Sequence, residues 1–411
     1  MKTQYYLTAF AVMLTTVVIG QESETITLGP GTINQSFYSL ENGEIHSVDN
    51  MNWDLAFTLS QFSATIRIND GMGVSLYKYD GGDIDSWDDV DTLGVSSQTS
   101  LRNSEESWSD GAFNVNSADM DMGWGNYDPV THFVTGDSIY LIQTTSGDWR
   151  KIVISNLSAG AFNFQYADID GSNEISTSIN QGDFEEKNFI YYSLTTDTVI
   201  DREPLSNEWD ITFTKYSSEV GPGMFYGVVG VLSNYFVQVA EVNDLSTPLT
   251  YDDFESNVFE YEMNAIGSDW KTFNMATFTY DIEDSRCYFV KDLEGGIYRL
   301  VFTGYSGSST GEIEINKQLI SGNYVEESLS DFMTFQIYPN PSSDVTSIIL
   351  DTQASKVLLS IYDMSGKEIM SRTLSGGFQV NNISVADLES GIYVVTVKIN
   401  GNITKKKLII Q

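Results

Sequence analysis

The chain has 411 residues, with 57 Asp plus Glu against 21 Lys plus Arg and a formal net charge of −36. A field of that sign repels phosphate backbones and anionic membrane surfaces, which excludes nucleic-acid recognition by counterion release. A content of 41% hydrophobic and 13% aromatic residues is enough for folded cores, and the length accommodates about two or three domains of ~100–200 residues each.

The N-terminus reads as a secretory signal peptide over residues 1–20. Lys2 supplies the positive end, residues 5–19 are an apolar run, and Val18-Ile19-Gly20 precedes a cleavage point before Gln21. This expectation makes the Sec export machinery the first partner, with an uncleaved anchor as the competing reading. No later segment approaches the ~20 apolar residues that a membrane-spanning helix needs.

From there on the local signals are β. Runs rich in Thr, Val, Ile, Tyr and Phe at 139–143, 151–155, 298–303 and 358–362 are separated by Gly, Asn, Asp and Ser clusters. The pattern predicts an all-β protein of mostly antiparallel strands, with short helices only near 83–90 and 251–254. Cys287 is the single cysteine, so no intramolecular disulfide forms, and its strand-like setting suits a buried, inert thiol.

An internal repeat organises the middle of the chain. Phe37-Tyr38-Ser39-Leu40, Trp53-Asp54-Leu55-Ala56-Phe57-Thr58, Tyr140-Leu141-Ile142 and Trp149 to Ile154 recur in the same order as Tyr191-Tyr192-Ser193-Leu194, Trp209-Asp210-Ile211-Thr212-Phe213-Thr214, Tyr288-Phe289-Val290 and Ile297 to Phe302. The expected organisation is therefore two β domains at 26–176 and 177–318, a linker at 319–331 and a C-terminal domain at 332–411. The alternation in Trp-Asp-Leu/Ile-x-Phe suits a half-buried strand, with the tryptophans as core anchors.

The repeat motifs resemble the HmuY-like family of secreted, mostly β haem-binding proteins. The resemblance implies that fold, and haem as a candidate ligand held by axial His or Met side chains. Only His46 and His132 are available as imidazoles, both in the first copy; Met120 and Met122 lie near His132, and the second copy offers only Met263 and Met275. Nothing in the spacing brings His46 and His132 together. Calcium is the other candidate, because Asp168, Asp170 and Glu174 alternate oxygen ligands as calcium sites do. That segment does not fit the EF-hand loop, and an acidic turn is the preferred reading. No nucleophile elbow, zinc-protease helix motif, phosphate loop or Cys/His pair occurs, so no enzymatic activity is expected.

The C-terminal segment differs in composition. Seven basic and six acidic side chains fall in 335–411 and one basic residue in 1–20, which leaves 13 basic and 51 acidic groups, net −38, on 21–334. Tyr338-Pro339-Asn340-Pro341 opens the segment, Gly391-Ile392-Tyr393 begins a later strand, and Lys405-Lys406-Lys407 precedes a final apolar strand. Together these residues resemble the type A C-terminal sorting domain of the type IX secretion system, an immunoglobulin-like β-sandwich. The resemblance implies partnership with that secretion machinery, removal of the domain, and delivery to the outer surface or medium. The function expected from the whole is an exported surface or extracellular binding protein with an unknown extracellular ligand. The alternative is a surface structural or adhesive protein without small-molecule chemistry.

Overall fold

The computed structural model describes residues 21–410 except 61–62, 116, 118–119, 185, 323–332, 339, 341, 343–344, 353–355, 364–366, 376–378, 387, 389 and 400–401. The expected signal peptide, most of the expected linker, Pro339 and Pro341 therefore lie outside the described residues. The chain is all-β and divides into two compact units, up to residue 323 and from residue 324 onward. Among the described residues no helix is long and apolar enough to cross a membrane.

In the first unit, strand alternation builds two sandwiches. A seven-stranded sheet (Ser75–Lys78, Gly125–Asp128, Phe133–Gly136, Ile139–Gln143, Trp149–Ser158, Ala161–Asp168 and Ile175–Asn180) faces a four-stranded sheet (Leu55–Thr58, Ile66–Ile68, Phe189–Ser193 and Thr198–Ile200). Leu55, Phe57, Ile66, Tyr140, Ile152, Phe162 and Phe164 fill the space between them. A second four-stranded sheet (Asn34–Ser39, Gly43–Asp49, Ile211–Gly221 and Met224–Ser233) faces a five-stranded sheet (Glu22–Thr27, Gln238–Val242, Cys287–Lys291, Ile297–Tyr305 and Glu312–Ser321). Tyr38, Ile211, Phe213, Val231, Tyr288, Leu300 and Ile313 form that core. Burying side chains of this size stabilises by about 1.5–3 kcal/mol each.

The two repeat copies exchange strands. Phe189–Ser193, which opens the second copy, pairs with Leu55–Thr58 of the first, in a register that sets Tyr192 opposite Leu55. Reciprocally, Asn34–Ser39 of the first copy pairs with Ile211–Gly221 of the second, with Tyr38 opposite Ile211. The cores therefore do not follow the division at 176/177: Ile190, Tyr192 and Leu194 belong to the first sandwich, and Ile26, Leu28, Tyr38 and Leu40 to the second. At the C-terminal edge, the strand Glu312–Ser321 runs past residue 318.

The aspartate of each Trp-Asp motif ties the exchange. The Asp54 carboxylate accepts from the Leu194 N–H at 2.8 Å and the Thr145 N–H at 2.9 Å, while the Asp54 N–H donates to the Tyr192 carbonyl at 2.9 Å. The Asp210 carboxylate accepts from the Leu40 N–H at 2.8 Å and the Leu293 N–H at 3.5 Å, and its N–H donates to the Tyr38 carbonyl at 2.9 Å. Burial pushes the Asp210 carboxyl up to about 6 against the pull of these N–H donors.

The two four-stranded sheets turn their outer faces to each other, and that seam is polar. Trp53 meets Tyr191 edge-on at 4.9 Å and Trp209 meets Phe37 edge-on at 5.1 Å, so the repeat tryptophans anchor the seam. Arg202 lies over Trp53 and Tyr191 and donates to the Gln35 side chain at 2.6 Å and the Asp49 carbonyl at 3.1 Å. Thr212 and Thr214 accept from Gln35 and Asn50, which explains why the second strand alternates Ile-Thr-Phe-Thr. The helix expected near 83–90 corresponds to a 3-10 turn at Ile84–Asp89, whereas 251–254 is not helical and the 3-10 turn Pro248–Thr250 ends just before it, with Tyr251 extended. Cys287 is free and buried, and burial pushes its thiol up to about 11.

The second unit is a sandwich of a three-stranded sheet (Met333–Tyr338, Val345–Thr352 and Gln379–Ser384) on a four-stranded sheet (Lys356–Asp363, Glu368–Ser375, Gly391–Ile399 and Asn402–Ile410). Ile348, Leu350, Leu359, Ile361, Val395, Val397 and Leu408 are buried between them. The strand Gln379–Ser384 ends at Ser384, and a turn closed by the Leu388 N–H on the Val385 carbonyl follows.

Asp54→Ala leaves two inward N–H groups without acceptors, each worth about 1–3 kcal/mol. Denaturant unfolding should show a loss of roughly 2–5 kcal/mol, and a loss below ~0.5 kcal/mol would mean that the carboxylate does not hold the exchanged strands.

Candidate functional site

The residues singled out in the sequence fall into three places. His46 is exposed on Gly43–Asp49, opposite Phe37, in the second sandwich. His132 is exposed in the turn before Phe133–Gly136, in the first sandwich, at a positive φ of 60° with Nδ1 2.6 Å from the Tyr127 hydroxyl. The two histidines thus stand on different sheets of different sandwiches. Trp124 is buried in the first core, where its Nε1–H donates to the Ala64 carbonyl; Met263 is buried at the seam and Met275 is exposed. No pair of facing axial ligands is assembled from these side chains.

The acidic turn spends its oxygens locally. Asp168 accepts from Arg150 and from the Asn173 amide at 2.7 Å. Asp170 accepts from the Ser172 hydroxyl and N–H, which hold its carboxyl below the usual range. Glu174 accepts from the Trp87 Nε1–H at 2.9 Å. Among the described residues no group of three or more His, Cys, Asp or Glu is placed to hold a metal ion.

The C-terminal motif residues converge on the last strand. The Asn340 side chain donates to the Lys407 carbonyl and accepts from the Ile409 N–H, both at 2.7 Å. The Ser342 N–H donates to the Ile409 carbonyl at 2.9 Å, and Ser342 bridges Ile410 in parallel. An asparagine side chain carries the same amide donor and acceptor as the backbone, so between two prolines, which have no N–H, it supplies the missing strand pairing. Gly391 pairs with Ile410 and Tyr393 with Leu408, and Tyr393 is buried while Tyr338 is exposed. Lys405, Lys406 and Lys407 lie on Asn402–Ile410, an outer strand of its sheet, where lysines discourage unwanted edge pairing. Lys406 lies 5.9 Å from the centroid of the Phe335 ring.

A cavity of about 350 Å³ opens where the two sandwiches of the first unit meet. One wall is the turn Asp70 to Ser75 with Arg102; the other is the hairpin of Ile211–Gly221 and Met224–Ser233, through Lys215, Ser217, Phe225, Tyr226 and Gly227. Glycine is required where these walls touch. A Cβ on Gly71 would sit 2.2 Å from the Lys215 carbonyl oxygen, and one on Gly227 would sit 2.5 Å from the Gly71 oxygen. Arg102 lies over the Phe225 ring at 4.5 Å and donates to the Ser217 hydroxyl at 3.1 Å. Asp70 accepts from the Asn103 N–H at 3.1 Å, and burial pushes its carboxyl up. None of these residues was singled out in the sequence. The one local hint was Lys215 standing inside an apolar β pattern, and pairing across 145 residues cannot be read from that.

Residues 336–411 match the family described as the secretion system C-terminal sorting domain. That domain marks the chain for secretion to the cell surface or extracellular space and implies engagement of the type IX secretion machinery. No curated protein matches the chain. Two solved structures from Porphyromonas gingivalis show weak similarity. Dimeric latent PorU is 10% identical over 68% of this chain and 31% of that chain, with a TM-score of 0.17. PorZ, described as an essential bacterial surface component of the type-IX secretion system, is 10% identical over 69% of this chain and 41% of that chain, with a TM-score of 0.16. The chain thus spans less than half the length of either.

Asn340→Ala should unlatch the final strand at a cost of about 1–2 kcal/mol. Hydrogen exchange should read this as faster exchange of the Ile409 amide; unchanged protection there would show that the side chain does not clamp the strand.

Proposed function

We propose that the protein is an exported, non-catalytic binding protein whose first unit captures a soluble extracellular ligand and whose last unit serves as a removable address. The observation that carries the reading is the juxtaposition of a sorting domain at 336–411 with a separate compact unit that holds an open cavity between two sandwiches. The cavity volume lies in the range of small-molecule sites, roughly 300–1,000 Å³. The resemblance of the Trp-Asp repeats to the HmuY-like family suits a capture role, but haem as the ligand is not supported, because His46 and His132 stand apart and outside the cavity lining. Calcium at Asp168, Asp170 and Glu174 lacks support for a related reason: each carboxylate accepts a local donor, and among the described residues no three such groups are placed to hold an ion.

The adhesive reading has one observation in its favour. The hairpin of Lys271–Asn274 and Thr279–Ile282 carries Met275 and Phe278 at its tip, 74% and 76% exposed. Apolar side chains presented this way suit contact with another surface.

In a host that secretes the protein, mass spectrometry of the surface or medium form should find a C-terminus upstream of Phe335. Mature protein that retains Lys405 to Gln411 would remove the address reading. In a thermal-shift screen of small soluble compounds of either charge, at least one should raise the melting temperature of the full chain, hemin should not, and the cavity-filling Ser75→Trp variant should abolish the rise. Absence of any stabilising compound would leave the adhesive reading in its place.

A further inference from the structure

We propose that the cavity between the two sandwiches binds an oxyanion, carboxylate or phosphate, carried on a flat apolar scaffold. The inference rests on the capture reading above and names the chemistry of its ligand.

The charge of the cavity is opposite to that of its surroundings. On a stretch with 13 basic and 51 acidic side chains, Lys215 and Arg102 line one cavity together. Several other cations of the first unit are paired with carboxylates, such as Arg150 with Asp168, Arg286 with Asp269 and Glu241, and Lys317 with Glu24, while Arg67, Lys151 and Lys271 donate to backbone carbonyls. Among the described residues, none forms a hydrogen bond or ion pair with the Lys215 ammonium. Its terminal methylene is held over Gly227, since a Cβ on that glycine would meet Lys215 Cε at 2.8 Å.

The donors match an oxyanion. Arg102 spends one N–H on Ser217 and keeps its planar fork over Phe225, which leaves further N–H groups for a carboxylate or phosphate. Asp70, the one carboxylate of the lining, is turned to the Asn103 N–H. The remaining wall suits a flat scaffold. Phe225, on the same strand face as Gly227 and Lys215, is 36% exposed, so a planar ring entering the cavity meets an aromatic side chain.

The test is calorimetric titration of the full chain with inorganic phosphate, phenyl phosphate, benzoate and the neutral benzyl alcohol, at low and raised salt. Phenyl phosphate should bind more tightly than inorganic phosphate, benzyl alcohol should not bind, and salt should weaken the anions. Benzoate against phenyl phosphate tells which oxyanion the site prefers. Lys215→Gln, which removes no bond within the protein, should weaken phenyl phosphate about tenfold or more at an unchanged melting temperature. Phe225→Leu should narrow the gap between phenyl phosphate and inorganic phosphate. Benzyl alcohol binding as well as phenyl phosphate would overturn the anion assignment and leave capture standing. Anion binding unaffected by both Lys215→Gln and Arg102→Gln, or no binding by any of the four probes, would overturn it as well, and the thermal-shift screen then decides capture independently.

Discussion

Two buried aspartates hold the first unit together. Asp54 and Asp210 each reach, from the start of one strand, to the end of a strand belonging to the other repeat copy and to a late hairpin of their own. A carboxylate can accept several N–H bonds at once, and a buried N–H without an acceptor costs about 1–3 kcal/mol. The same geometry at both sites sets the register in which Tyr192 lies opposite Leu55 and Tyr38 opposite Ile211. A slip of one residue would turn Leu55, Phe57, Ile211 and Phe213 out of their cores.

The exchange has a consequence for how the two sandwiches meet. Because each four-stranded sheet is completed by the other copy, the chain crosses the seam repeatedly, and polar side chains pair along it: Arg202 with Gln35, Gln35 with Thr212, Asn50 with Thr214, and Asn188 with Asn234. Tyr191 donates to Glu203, whose carboxyl burial raises to about 7. A polar seam of this kind specifies a single mutual placement, since a shift would strand several buried groups at once. The cavity opens at the margin of this seam, where Gly71 and Gly227 let the turn and the hairpin approach backbone to backbone.

The last unit solves a separate problem, a chain end that must be paired. Asn402–Ile410 is an outer strand, and its far end is secured by the side chain of Asn340 and by Ser342. The asparagine between two prolines is thus a structural element of the sandwich as well as part of the motif by which the domain is known. Lys405, Lys406 and Lys407 lie on this outer strand, where charge opposes association with a stray strand.

Much was legible in the residues themselves. Trp-Asp-Leu-Ala-Phe and Trp-Asp-Ile-Thr-Phe announced two equivalent strands, though not that the seam buries their second faces as well, and Tyr338-Pro339-Asn340-Pro341 with the basic end announced the sorting domain, because those patterns are local and periodic. The all-β class, the buried thiol of Cys287 and the differing composition of the tail follow from the same kind of reading. Which strand lies beside which did not, since Phe37 to Leu40 pairs equally well in principle with the strand of its own copy or of the other. Tertiary structure decided it through Asp54 and Asp210, whose partners lie 140 and 170 residues away. The cavity has the same origin: Asp70, Arg102 and Lys215 carry no shared local signal, and only the packing of one sandwich against the other makes them neighbours.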